Sequence, residues 1–159
     1  MTMESVHRSL PADLLLKEYC DLLTSEEAVE ALPLTISGNS MAPFLVHGRD
    51  TVYLSRISEP LKPGDVVLYR RKNGSYVLHR IHSIQSPFYT MAGDAHPGVE
   101  PGIHRDQILA IMTCAKRKGK LEQPGTFWWE FFRTTWLRII PLRKTAMGLY
   151  SALKGSKRK

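Results

Sequence analysis

Apolar positions along the chain change their period near residue 34. Before it, Ser9-Leu10-Pro11-Ala12-Asp13 leads into Leu14, Leu15, Leu16, Tyr19, Leu22 and Leu23. Pro11 and Asp13 suit a first helical turn, and the spacing predicts a helix of about three to four turns. Thr24-Ser25-Glu26-Glu27 reads as a second N-terminal cap before Ala28, Val29, Ala31 and Leu32, with Pro33 closing the helix. From Leu34 onward, short apolar or alternating runs predict strands at Leu34–Ile36, Thr51–Ile57, Val66–Tyr69, Tyr76–Ile84, Phe88–Ala92 and Ile108–Ala115. Gly48-Arg49-Asp50, Lys62-Pro63-Gly64-Asp65, Lys72-Asn73-Gly74-Ser75 and the Gly/Pro-rich stretch 93–102 separate them. Asn73-Gly74 predicts a tight hairpin that makes Tyr76–Ile84 the second arm of Val66–Tyr69. After Gly119, Phe127, Trp128, Phe131, Phe132, Trp136, Ile139 and Ile140 return to near-helical spacing until Pro141 interrupts them, and Met147, Leu149, Tyr150 and Leu153 continue the apolar side.

This pattern divides the chain into an N-terminal helical segment (1–33), an antiparallel β domain (34–118) and an aromatic, amphipathic basic tail (119–159). A mainly β fold follows, with helices at both ends. At 159 residues there is material for one compact domain with appended structure. No run approaches the roughly 18–20 apolar residues of a membrane-spanning helix, and residues 1–10 lack the apolar core of a signal peptide, so a cytoplasmic location is expected. Cys20 and Cys114 lack metal-site spacing and read as unpaired core residues. No cofactor or metal is expected. The net charge of +7 is unevenly placed: residues 1–115 hold 10 Lys/Arg against 13 Asp/Glu, and residues 116–159 hold 12 against 2. An anionic partner is therefore expected for the tail alone.

Candidate chemistry centres on Ile36-Ser37-Gly38-Asn39-Ser40-Met41-Ala42-Pro43 and, 39 residues beyond Ser40, His79 within Tyr76-Val77-Leu78-His79-Arg80-Ile81. A serine hydroxyl attacks carbonyls poorly unless a neighbouring base removes its proton. Gly38 and Pro43 place Ser40 on a turn, where a hydroxyl is accessible, and His79 lies on a strand, where a base is held rigidly. By itself, a serine in a glycine-rich turn is usually only a turn residue, and a strand histidine is often a satisfied core group.

Five segments in order change that weighting. Ser37-Gly38-Asn39-Ser40-Met41-Ala42-Pro43, Gly48-Arg49-Asp50, Pro63-Gly64-Asp65-Val66-Val67, Val77-Leu78-His79-Arg80-Ile81 and Ala92-Gly93-Asp94 follow the order and approximate spacing of the conserved boxes of type I signal peptidases. Over about residues 34–114 the chain resembles the signal peptidase/LexA-like superfamily of serine peptidases. The position that is Lys in the bacterial members is His79 here, so the resemblance is to the Ser-His type of endoplasmic-reticulum and archaeal signal peptidases. It implies Ser40 as nucleophile and His79 as general base, a role needing little perturbation because imidazole is neutral near pH 7. It also implies an orienting carboxylate, either Asp94, which the Gly93-Asp94 box favours, or Glu100 six residues later. The oxyanion would fall to the Ser40 N–H with the Ser37 hydroxyl, and Ser37 and Met41 would line the substrate site. The substrate would be a peptide or preprotein held as an added strand beside the Ser40 turn, with small residues at the cleavage site.

The remaining candidates read as structural. Asp50 and Asp65 follow turn glycines and suit caps. His82 points to the other strand face, and His47, His96 and His104 fall in loops, with His96 near enough to Asp94 to line a cleft. Two other functions compete: a peptide-binding module of the same fold that does not cut, and a LexA-like self-cleaving regulator. Nucleic acid is a poor partner, because residues 1–33 are acidic and carry no convincing recognition helix. The tail's Trp128, Trp129, Phe131, Phe132 and Trp136, interleaved with Arg133, Arg138, Arg143 and Lys144, suit an anionic membrane surface or a protein partner, as against a helix packed on the protein's own core.

Overall fold

The computed structural model describes residues 30–156, together with Lys17, Glu18, Asp21 and Leu22, which are helical. Most of the expected helical hairpin, and Cys20, lie outside the described residues. The chain forms an eight-stranded antiparallel sheet: β1 (Leu32–Thr35), β2 (Thr51–Ser55), β3 (Val66–Arg70), β4 (Tyr76–Gln85), β5 (Phe88–Ala92), β6 (Glu100–His104), β7 (Ile108–Arg117) and β8 (Lys120–Glu122). Their order is β1-β2-β7-β3-β4-β5-β6, with β8 on β7.

The middle of the sheet follows from β3. Val66-Val67-Leu68-Tyr69 is a continuous apolar run buried on both faces, as a central strand between two cores requires. Val66 and Leu68 join one cluster with Met41, Phe44, Leu45 and Met112. Val67 and Tyr69 join the other with Ile81, Met91 and Ile103. The Asn73-Gly74 turn forms as predicted: Gly74 has φ +90°, Asn73 Oδ1 accepts from Ser75 N–H at 3.1 Å, and Val67 pairs with His79 across the hairpin.

Four parts of the chain differ from expectation. Leu32 and Pro33, expected to end a helix, are in β1, an edge strand whose outer side tolerates a proline. β6 and β8 fall in stretches that read as turn and tail. The basic tail is several short pieces: α1 (Phe127–Glu130), a π-helical turn (Phe131–Thr135), α2 (Trp136–Arg138), a 3-10 turn (Ile140–Leu142) and α3 (Arg143–Ser156). In the first cluster Phe132 packs against Phe44, and Trp136 against Phe132. Arg133 packs onto Gly64 so closely that a Cβ there would lie 2.5 Å from the arginine Cγ. Part of the tail is therefore core.

Candidate active site

Ser40 lies on the loop between β1 and β2, which is pinned at both ends and underneath. Ile36 N–H donates to Asp50 O, and Gly48 N–H to Ile36 O, both at 2.9 Å. Asp50, fully buried, accepts from the backbone N–H groups of Val46 and Lys118 and from the Arg49 guanidinium. It caps the loop, as does Asp65 where it accepts from Lys62 N–H at 2.8 Å. Met41, Phe44 and Leu45 anchor the loop in the first core cluster and leave Ser40 half-exposed. Gly38, at φ +87°, donates its N–H to His47 Nδ1 at 3.0 Å, so His47 braces the loop.

His79 comes from β4 and is 7% exposed. Its pKa falls to about 4, chiefly because burial disfavours the imidazolium and then because Arg71 is near, so the ring is neutral at neutral pH. Ser40 and His79 are walls of one cavity of about 260 Å³, together with Ser37, Gly38, Met41, Arg71 and Tyr76–Leu78. Gly93 lies between them. A Cβ built there would fall 2.7 Å from Ser40 O and 3.1 Å from His79 Nε2, and Ala95 N–H donates to Ser40 O at 2.9 Å. The 93–96 loop thus joins the serine turn to the histidine strand, and only glycine fits at the junction.

The two candidate carboxylates are held elsewhere, and among the described residues neither makes a hydrogen bond to His79. Asp94 is fully buried in a two-point pair with Arg80, at 3.0 and 2.8 Å, while Arg80 also donates to Gly64 O. The expectation that Asp94 orients the imidazole thus finds its carboxylate committed to Arg80. Glu100 pairs two-point with Arg71, at 2.8 and 2.7 Å, and accepts from Tyr69 Oη at 2.7 Å. Tyr69 Oη is in turn 3.2 Å from His79 Nδ1. Glu100 therefore reaches His79 through a phenol.

Sequence reasoning missed Tyr69 and two residues of the tail. Trp136 Nε1 donates to Asp94 O at 2.8 Å. Arg143, fully buried, donates to the carbonyls of Gly93, His96 and Trp136. Both grip the loop that carries Gly93 and Asp94. Tyr69 reads as an apolar strand residue, and Trp136 and Arg143 contact the loop from more than 40 positions away, so no local pattern marks them. Ser37 is exposed on the cavity rim and Met41 buried in its wall. His82 lines a different and larger cavity with Pro63, Pro97 and Arg133. His104 caps the 3-10 turn after β6. Cys114 is a free thiol on β7.

No known protein family, curated protein or solved structure matches this chain. Among the described residues no helix is long and apolar enough to cross a membrane.

Proposed function

We propose that the chain is a serine endopeptidase of the signal peptidase-like, Ser-His kind that cuts a precursor or leader peptide. The observation that carries this reading is the cavity shared by Ser40 and His79, both touching Gly93 from positions 39 residues apart in sequence. In this mechanism Ser40 Oγ attacks the scissile carbonyl carbon as His79 Nε2 takes its proton. The oxyanion meets the Ser40 N–H and the Ser37 hydroxyl. His79 gives the proton to the leaving amine, and water, deprotonated by the same imidazole, releases the acyl group and regenerates Ser40. A neutral His79 at working pH is the form this scheme needs.

The peptide would lie extended between the 36–38 segment and the first residues of β4. There, among the described residues, β4 pairs only with β3, because its pairing with β5 begins at Arg80, so Tyr76–Leu78 present an edge for an added strand. A cavity of about 260 Å³ suits small side chains at the cleavage site. Incubating the purified chain with a peptide library and reading new termini by mass spectrometry tests the reading: wild type should cut and Ser40→Ala should not. Equal cutting by the two would overturn it, and binding without cutting would favour the non-catalytic module.

The tail supports an attachment to anionic membrane, on the cytoplasmic side in this reading. Phe127 is 72% exposed, and Leu149 and Leu153, one turn apart on α3, which also carries Lys144, are 64% and 62% exposed. Arg117 lies 5.1 Å from the centre of the Trp128 ring, which sets a cation beside the Phe127–Trp128 pair. Co-sedimentation with phosphatidylserine vesicles but not neutral ones is the expected result; absence from both would transfer this surface to a protein partner.

A further inference from the structure

Tyr69 has no role in the scheme above, yet its hydroxyl stands between His79 and Glu100, and the hydrogen-bond bookkeeping there has one solution. Tyr69 is fully buried and its phenol has one proton. Glu100, held by two guanidinium bonds from Arg71, is a carboxylate and only accepts, so the phenol proton points to its Oε2 at 2.7 Å. Burial, and then Glu100, raise the Tyr69 pKa and outweigh the lowering by nearby Arg71, while Arg71 also lowers that of Glu100, which keeps the proton on the phenol. What Tyr69 turns toward His79 is therefore a lone pair, 3.2 Å from Nδ1. The matching group on the imidazole is Nδ1–H. The remaining nitrogen, Nε2, then carries the free lone pair, and it is the atom that faces Gly93 beside the Ser40 backbone.

We propose that Tyr69, backed by Glu100 and Arg71, is the positioning residue that fixes neutral His79 as the Nδ1–H tautomer and aims its Nε2 lone pair at the Ser40 side of the cavity. A phenol thereby takes the place of a carboxylate as direct partner of the base, and Asp94 is left to hold Arg80. The role rests on the peptidase reading, but its structural content does not need cleavage to be observed. The charged and titratable groups around the ring are Arg71, Glu100, His96 and Asp94, in addition to Tyr69. A neutral phenol oxygen offsets imidazolium charge less than a carboxylate would, in keeping with a base whose pKa stays low.

The test is long-range proton–nitrogen NMR of the full chain labelled at histidine nitrogens, with the His79 signals assigned by their loss in His79→Gln. At pH 7 wild-type His79 should show Nδ1 protonated and Nε2 bare. In Tyr69→Phe, which keeps the ring and removes the oxygen, the Nε2–H form should become a substantial or major population. The acylation rate at Ser40 should drop at least tenfold at unchanged probe affinity. An Nε2–H tautomer in wild type overturns the proposal with no variant needed, and so does an unchanged tautomer in folded Tyr69→Phe. If Ser40 proves inert while wild-type His79 is Nδ1–H, the peptidase reading fails and the positioning stands.

Discussion

Gly93→Ala is a steric experiment on the joint between nucleophile and base. The added methyl would stand 2.7 Å from Ser40 O and 3.1 Å from His79 Nε2, and neither neighbour can yield cheaply. The first is backbone tied by Ala95 N–H at 2.9 Å, and the second belongs to a 7%-exposed ring. Reaching the ~3.4 Å of ordinary contact requires Ser40 O to retreat by about 0.7 Å and His79 Nε2 by about 0.3 Å, and overpacking of this kind costs about 1–3 kcal/mol of stability. Misplacement approaching 1 Å costs a reaction about 100-fold, so acylation of Ser40 should slow by about 10- to 100-fold. Gly98, in the same loop, is the control: its built Cβ meets nothing within 4 Å, so Gly98→Ala should shift stability by less than about 0.5 kcal/mol. Urea denaturation and the rate of adduct formation with an acylating probe give both numbers. A Gly93→Ala protein that folds and acylates at the wild-type rate would refute the argument that this loop sets the Ser40–His79 geometry.

Three further outcomes follow from the same contacts. Because His79 must be neutral to accept a proton and its pKa is about 4, acylation should hold from pH 7 down to about 5 and fall with a midpoint near 4; a midpoint near 6.5 would mean the ring is not desolvated. The unfolded chain protonates this histidine first, near 6.5, so stability should decline as pH drops from about 6.5 to 4, by up to about 3 kcal/mol, and His79→Gln should flatten that decline in pH-dependent urea titrations. Arg143→Met removes a fully buried cation together with its hydrogen bonds to the carbonyls of Gly93, His96 and Trp136; a loss of about 2–4 kcal/mol is expected, with slower acylation of Ser40, whereas a variant as stable as wild type would show the tail to be dispensable for the loop.

How far the fold was legible depended on how local its causes were. β5 matched its expected limits, and β2, β3, β4 and β7 came within about two residues, because alternation and the Asn73-Gly74 turn are written in adjacent residues. β6 escaped because Glu100-Pro101-Gly102-Ile103-His104 carries a proline and a glycine at φ +78°, residues that an edge strand tolerates and a sequence reading takes for a loop. The tail read as an amphipathic helical stretch interrupted at Pro141, yet its aromatics divide between core (Phe132, Trp136) and surface (Phe127, Trp128), a division set by packing on the distant Phe44, which Phe132 meets and Trp136 backs. At the candidate site, the shared placement of Ser40 and His79 on one cavity was legible through their motifs. Where the carboxylates of Asp94 and Glu100 are held was not, because it turns on which guanidinium meets which carboxylate: Arg80 and Asp94 are 14 residues apart, Arg71 and Glu100 are 29. Tyr69 was invisible because a phenol in an apolar strand looks like packing until its oxygen is placed.

The most direct test of the central claim is intact and peptide-level mass spectrometry of wild type, Ser40→Ala and His79→Ala after exposure to a β-lactam-type acylating probe. The account predicts one adduct on Ser40 in wild type and none in either variant. A folded wild type without that adduct, or a Ser40 adduct that survives His79→Ala undiminished, would contradict it.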